Sequence, residues 1–353
     1  MKNLIELVVA VPAGLAPEAI DRQATLRLAY ARGPVHIAQG DADAYWFDYF
    51  GVRRRGDWPV ARLRAATPAA AYTICADPVY LGVSGDAVTL DARAAGDLTP
   101  DDARTLMAIL NRHFAADGLR FTEVSAQEWL LEVSVAIDAT TTPPARAHGF
   151  SIENFLPQGP QARLLKRIGN EAQMLLHDTP VNLARQARGQ APINAVWLWG
   201  ANAEDMHSNE SMVTPANGDT TASAEGKRPM PQSLTLYSSA THVRALARTA
   251  GAAAMALPES AQLLESRASA GALAFDLDAR LLDAQSFLPW LETHWIEPLR
   301  QRAILQRDAC RLTLLLGSTR AGVDLFRPDP WRLLRRGGLA RRLQQAGEAA
   351  PAR

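Results

Sequence analysis

Histidine and cysteine are the residues best suited to metal or nucleophilic chemistry, and here their spacing limits what they can do. His36, His113, His148, His177, His207, His242 and His294 are scattered, and none has another histidine or a cysteine at ligand spacing. Such a pattern carries no zinc signature. Cys75 and Cys310 are far apart in sequence. Two distant thiols are too few for a disulfide framework and fit a reducing compartment. There is no glycine-rich phosphate loop, no G-x-S-x-G elbow and no dinucleotide fingerprint. One acidic cluster, Asp276, Asp278 and Asp283, follows an apolar run that reads as a strand. Strand ends in parallel sheets often hold ligands, but a solvated turn and helix start accounts for the same residues. The expectation is no catalytic set, no metal site and no cofactor.

The most informative stretch runs from Asn170 to Gly200. Trp197 and Trp199 are two apart, so on a strand they point to one side. Asn182, Arg185, Arg188 and Asn194 precede them. Guanidinium forks suit phosphate or carboxylate oxygens. These six residues are the candidate ligand contacts: Arg185 to grip an anion, Asn182 and Asn194 to fix the turn or the ligand, and a tryptophan as an apolar wall. They are expected in a pocket between two lobes, a common place for ligands. The competing reading is an amphipathic turn feeding a core strand.

The elements that would position these residues follow from periodicity. Leu4–Val11 reads as a buried strand, with helices over Pro17–Arg32 and Gly40–Phe50. Thr99-Pro100-Asp101-Asp102 is a strong helix start, and Gly118 ends that helix. Val79–Val83 and Val88–Leu90 flank a Ser84-Gly85-Asp86 turn, and Leu131–Ile137 alternates like a half-buried strand. This block reads as α+β. From Ile193 onward the apolar runs Ile193–Trp199, Leu234–Tyr237, Ala272–Leu277 and Arg311–Leu316 alternate with helical segments, which implies a parallel sheet with helices on both faces. The predicted fold class is therefore α/β, a mostly parallel sheet interrupted by an inserted α+β domain. Residues 201–232 form a polar tract read as a mobile loop or disordered segment.

With 353 residues the chain exceeds the roughly 250–300 at which single cores stop growing, so two lobes are expected. Lys plus Arg equals Asp plus Glu, 37 each, which excludes a generic polyanion or membrane-surface binder. The apolar N-terminal run is too short to span a bilayer, and no secretory signal pattern follows it. A cytoplasmic location is expected.

The string Asn182-x-x-Arg185-x-x-x-Gly189, then Pro192-Ile193-Asn194 and Trp197-Leu198-Trp199-Gly200, resembles the archaeal-type cofactor-independent phosphoglycerate mutases, metal-dependent members of the alkaline phosphatase superfamily. Asp97–Ala103, Thr142-Pro143-Pro144 and Gly149 extend the resemblance. It implies an alkaline-phosphatase-like core over residues 1–60 and 181–328, an inserted α+β domain over residues 61–180, and a basic tail over residues 329–353. The family's catalytic residues do not carry over. Val11-Pro12 stands where its first strand ends in Asp-Gly. No serine lies between Asp21 and Ala71, and Ala284 follows Asp283 where the metal motif Asp-Glu-x-x-His would need glutamate. Gly317-Ser318-Thr319 replaces the final Asp-His pair.

Asp57-Trp58-Pro59-Val60, Ala76-Asp77-Pro78-Val79 and Asn170-Glu171-x-Gln173-Met174 resemble a divergent bacterial branch, the RpfE-type regulatory proteins. The resemblance implies a non-catalytic regulatory or ligand-binding protein on a degenerate mutase scaffold. The alternative is a metal-independent enzyme acting on a small phosphorylated metabolite, as isomerase or phosphatase. The expected partner is a phosphorylated small molecule or a protein, with no membrane. Nucleic acid is not expected, although arginines interleave with Trp331, Leu334 and Leu339 in the tail.

Overall fold

Leu4–Ala10 is apolar except for Glu6 and forms β1, buried on both faces as a central parallel strand must be. The computed structural model describes residues 4–12, 14–32, 35–52, 57–65, 72–201, 231, 233–261, 271–306, 309–325 and 338–349. Residues 202–230 of the polar tract and Trp331 to Leu334 of the tail lie outside the described residues. The chain divides into one unit of Met1–Gly51 with Val213–Arg353, and a second of Val52–Met212.

In the first unit, β1 is followed by α1 (Pro17–Arg22), α2 (Ala24–Arg32), β2 (Val35–Gln39) and α3 (Tyr45–Tyr49). The single helix expected over Pro17–Arg32 is two, because Gln23 takes an extended conformation between them. The helix expected over Gly40–Phe50 is only the five aromatic-rich residues of α3.

The second unit contains α4 (Val60–Arg64), β3 (Tyr72–Ser84), β4 (Ala87–Asp91), α5 (Pro100–Phe114), β5 (Arg120–Glu123) and β6 (Trp129–Val133). After them come α6 (Pro144–Ala147), α7 (Ala162–Leu176), α8 (Pro180–Ala187) and β7 (Ala195–Trp199). Thr99 caps α5 by accepting from the Asp102 amide at 3.1 Å, and Gly118 turns the chain at φ +69°. The sheet runs β4-β3-β6-β5, and β7 pairs antiparallel with β3, Cys75 opposite Trp199. The Trp-rich strand therefore belongs to this antiparallel sheet, where the sequence reading placed it in the parallel core. An apolar run buried on both faces looks the same in either kind of sheet. Leu106, Leu110 and Phe114 of α5 and Leu165, Ile168 and Leu176 of α7 pack with Ile74, Trp129 and Leu131 in one core.

The first unit resumes with β8 (Leu234–Ser238), α9 (Thr241–Thr249), β9 (Ala253–Met255), β10 (Ala272–Asp278), α10 (Ala284–Leu291) and α11 (Glu297–Gln306). Then follow β11 (Ala309–Leu316), β12 (Thr319–Leu325) and α12 (Leu339–Ala349). Its sheet runs β2-β12-β11-β1-β10-β8-β9. The strands from β11 through β9 are parallel, and β12 runs antiparallel between β11 and β2. Ile5, Leu7 and Val9 of β1 face a core built with Phe275, Leu312, Leu314 and side chains of α1, α2, α10, α11 and α12. The alternate residues put buried polar groups on the other face: Glu6, Asp276, Thr313. Among the described residues no helix is long and apolar enough to cross a membrane.

Candidate functional site

The six candidate residues occupy the α8–β7 segment of the second unit. Thr179 caps α8 through the Asn182 amide, and the chain reverses at Gly189, φ +72°. Asn182 and Arg185, three apart, share one face of α8 and hold the returning chain. Asn182 Nδ2 donates to Leu176 O and Ile193 O at 2.7 and 2.8 Å, and its Oδ1 accepts from the Ile193 amide at 2.8 Å. Arg185 Nε donates to Ala191 O at 2.9 Å, and its Nη2 donates to Ala94 O at 2.8 Å and Asp97 Oδ1 at 2.5 Å. Both side chains are fully buried, and Arg185 Nη1 is buried with no hydrogen-bond partner among the described residues. Asn194 pairs with both the amide and the carbonyl of Leu81, which continues the β3–β7 ladder by a side chain. Arg188 is half exposed and donates to Gln190.

Trp197 and Trp199 are buried, and their indole N–H groups find different partners. Trp197 donates to Thr142 O, and Trp199 to Asp77 Oδ2, both at 2.7 Å. Trp199 leads to a polar joint that sequence reasoning missed. Arg64 Nη1 meets Asp77 Oδ1 at 2.6 Å, Nη2 lies 3.3 Å from Glu128, and the guanidinium stands 4.9 Å from the Trp199 ring centre. Burial pushes the Asp77 carboxyl above its ordinary value despite Arg64 beside it. Asp57 accepts from the Thr141 amide and hydroxyl, and Thr141 Oγ1 accepts from the Gly200 amide at 2.8 Å. The Asp57-Trp58-Pro59 and Asp77-Pro78 strings thus meet near the Trp-Leu-Trp-Gly strand. Their visible signal was an acid lodged in an apolar, proline-containing run.

Topology singles out another place, in the first unit. From β8 the chain passes through α9 to β9 at one edge, and from β10 it passes through α10 and α11 to β11 beyond β1. The connections leave in opposite directions, so the carboxyl ends of β8 and β10 form a topological switch point, where open α/β sheets bind ligands. Ser238, Asp276 and Asp278 end these strands. Ser238 Oγ donates to Asp276 Oδ2 at 2.7 Å. Burial lifts the Asp276 carboxyl to about 6, against the opposing hydrogen bond of Ser238. Arg280 grips Asp278 with two bonds, Nε at 2.8 Å and Nη2 at 2.6 Å, and reaches Asp43 with Nη1. Desolvation works against the Asp278 charge, yet Arg280 holds that carboxyl below its ordinary range. Asp283 stands apart as the cap of α10, accepting from the Gln285 and Ser286 amides.

These residues do not fit the two divalent cations that the mutase resemblance implies. Among the described residues, no group of three or more His, Cys, Asp or Glu is placed to hold a metal ion. The Asp43 and Asp278 carboxylates share one guanidinium instead, and Val11, after β1, is buried and apolar.

With the fold and this geometry in view, comparison shows what the chain is similar to. The family described as 2,3-bisphosphoglycerate-independent phosphoglycerate mutase matches residues 79–182. That stretch lies within the second unit and ends at Asn182. The enzyme of that name from Methanosarcina mazei is 28% identical over 109 residues, 30% of this chain and 28% of the relative. The one from Methanothrix thermoacetophila is 32% identical over 111 residues, 31% of this chain and 28% of the relative. The similarity thus spans less than a third of either relative. Among solved structures, a cofactor-independent phosphoglycerate mutase from Thermoplasma acidophilum aligns with 92% of this chain and 90% of its own, at 13% identity and TM-score 0.39. A Pyrococcus horikoshii protein aligns with 97% and 92%, at 12% identity and TM-score 0.48. The chain is a mixed α/β protein with a large, mostly parallel sheet, similar in its second unit to phosphoglycerate mutases.

Proposed function

We propose that this chain is a non-catalytic regulatory or ligand-binding protein built on a phosphoglycerate-mutase-like scaffold, in the manner of the RpfE-type regulatory branch. The observation that carries this reading is the Arg280 bridge. At the switch point, where metal-assisted phosphoryl chemistry would need open carboxylates, Asp43 and Asp278 are neutralised by a guanidinium of this chain. Asp276 is hydrogen-bonded to Ser238, and Ser238 is fully buried, out of a substrate's reach. The ligand proposed is a small phosphorylated molecule or an acidic group of a protein partner. Arg185 Nη1, a buried donor without a partner among the described residues, is the group that would meet an anion if the α8 turn opens to admit one, since such donors are costly to leave unsatisfied.

Two measurements test this reading. Full-length protein incubated with phosphoglycerate and manganese or magnesium should give no interconversion of the phosphate position. A thermal-shift series with inorganic phosphate and 3-phosphoglycerate should raise the melting temperature, since a ligand of the native state stabilises it. Metal-dependent turnover would overturn the non-catalytic reading, and the absence of any anion shift would remove the phosphorylated ligand.

A further inference from the structure

The two sheets end in β2 and β9 and in β4 and β5, and three of these four strands are guarded. In the second unit, the outer edge of β4 is covered where Leu90 donates to Phe150 O and accepts from the Gly149 amide. The outward groups of β5 are taken by Asn111 of α5, which accepts from the Phe121 amide at 2.6 Å and donates to Phe121 O at 3.0 Å. In the first unit, β9 has only three residues, and Arg248 Nη2 donates to its Ala254 O at 3.3 Å. Strand β2 differs. Its five residues, Val35–Gln39, include no lysine, no proline and no carboxylate. Sheet edges without such guards pair readily with another strand.

Which groups of β2 face outward follows from its register. The Gly40 amide donates to Ser318 O at 2.8 Å, one step past the Gln39–Thr319 pair. Antiparallel strands alternate hydrogen-bonded with non-hydrogen-bonded pairs, so Gly40, Ala38 and His36 turn their backbone groups toward β12. Val35, Ile37 and Gln39 turn theirs to the open side, where none has a partner among the described residues. Side chains alternate as well. Val35 packs against the first unit's core, and Ala321 and Val323, opposite Ile37 and Val35 on β12, are fully buried. Ile37 itself is only partly buried. The apolar layer of the core thus runs out to the edge and stops at a half-covered isoleucine.

We propose that β2 docks antiparallel against β2 of a second copy of this chain, on a two-fold axis at Ile37. In that register Ile37 meets Ile37 of the second copy, Val35 meets its Gln39, and Gln39 meets its Val35. All are outward residues, so each pair exchanges both of its N–H···O bonds and no outward group is left over. The two isoleucines cover each other and join the two apolar layers. On the other face His36 lies opposite Ala38, so no like charges meet. The 37 basic and 37 acidic residues of the chain balance, which leaves no net charge to hold two copies apart. An edge without charged side chains gives a charged peptide nothing to select, whereas it fits its own copy at every pair. Pairing along five residues is a small contact, so the dimer exchanges with monomer as concentration changes.

Sedimentation velocity of the full chain over a dilution series reads this equilibrium. The wild type should pass from dimer to monomer on dilution. Gln39→Pro deletes an outward N–H and no bond to β12, so in dilute solution it should melt at the wild-type temperature. It removes one bond from each end of the paired strands and should raise the dissociation constant about tenfold or more. A second reading does not depend on that variant. Cys75 and Cys310 are both buried, so a new cysteine at the edge reports alone. Ile37→Cys should give a disulfide-linked dimer under mild oxidation, since hydrogen-bonded pairs hold their Cα atoms about 5.5 Å apart. His36→Cys, whose mate is displaced along the strand, should not. A wild type that stays monomeric at every concentration would overturn the proposal and leave the edge to an extended segment of another protein. A dimer as tight in Gln39→Pro as in the wild type, or one that links through His36→Cys and not through Ile37→Cys, would place the interface elsewhere and overturn it as well.

Discussion

Asn182 satisfies three buried backbone groups at once: the carbonyls of Leu176 and Ile193 and the amide of Ile193. Removing its side chain leaves all three without partners in a place water does not reach. Asn182→Ala should therefore cost about 3–5 kcal/mol, more than an ordinary hydrogen-bond deletion. Urea unfolding measures it, and a loss under 1 kcal/mol would mean that the turn rearranges to satisfy itself. Arg185→Ala removes the bonds to Ala94, Ala191 and Asp97 and should cost about 3 kcal/mol. If Arg185 only grips an anion, its removal will leave the unliganded melting temperature unchanged. The sequence marked both residues, because an amide and a guanidinium at helical spacing before a reversing glycine stand out. It did not distinguish a staple for the protein's own chain from a contact for a ligand, since both use the same donors. Arg64 with Asp77, and Arg280 with Asp43, were invisible for another reason. Their partners are 13 and 237 residues apart, and pairing at that range follows from topology rather than from local pattern.

Among the elements, those defined by their own sequence were the legible ones. The Thr99 cap, the acids after Pro100 and the 3.6-residue stripe fixed α5, and apolar runs marked β1, β8, β10 and β11. The edge strand β2 was missed because it is only half buried, so its pattern, VHIAQ, lacks a clean apolar face. The basic tail read from the sequence contains α12, and that helix is docked. Leu339 is fully buried in the first unit's core, Leu343 packs against it, and Asp21 of α1 accepts from the Leu339 and Ala340 amides at 2.6 and 3.0 Å. A side chain at Gly338 would run into that carboxylate. A chain ending at Leu325 should therefore melt well below the intact one. Asp21→Ala should lose only about 1 kcal/mol, the usual value of a helix cap. Gly338→Ala should destabilise, although alanine favours helices. If the shortened chain melts at the intact temperature, the docking of α12 adds nothing to stability.

For the whole molecule, composition and alternating strand and helix patterns gave the α/β class and the presence of more than one core. They could not settle where the division falls, because an apolar strand such as β7 suits either sheet until its pairing with β3 is known. The two cores share no residue. One is formed by side chains of residues 5–30 and onward from 237, with Leu7, Phe275 and Trp295 among them, and the other by Ile74 to Ala201 around Leu106 and Trp129. Each unit therefore has its own source of hydrophobic stabilisation, and a domain with its own core can unfold as its own cooperative block. Differential scanning calorimetry should resolve two transitions, or one whose van't Hoff enthalpy falls clearly short of the calorimetric enthalpy. The variants assign them. Asn182→Ala should lower only the transition of the second unit, and removal of α12 only that of the first. Lowering pH from 8 to 5 should raise the first unit's transition through Asp276, because its raised carboxyl gains a proton in the folded state before it does in the unfolded one. A single two-state transition shifted equally by all three changes would show that the cores fold as one cooperative block.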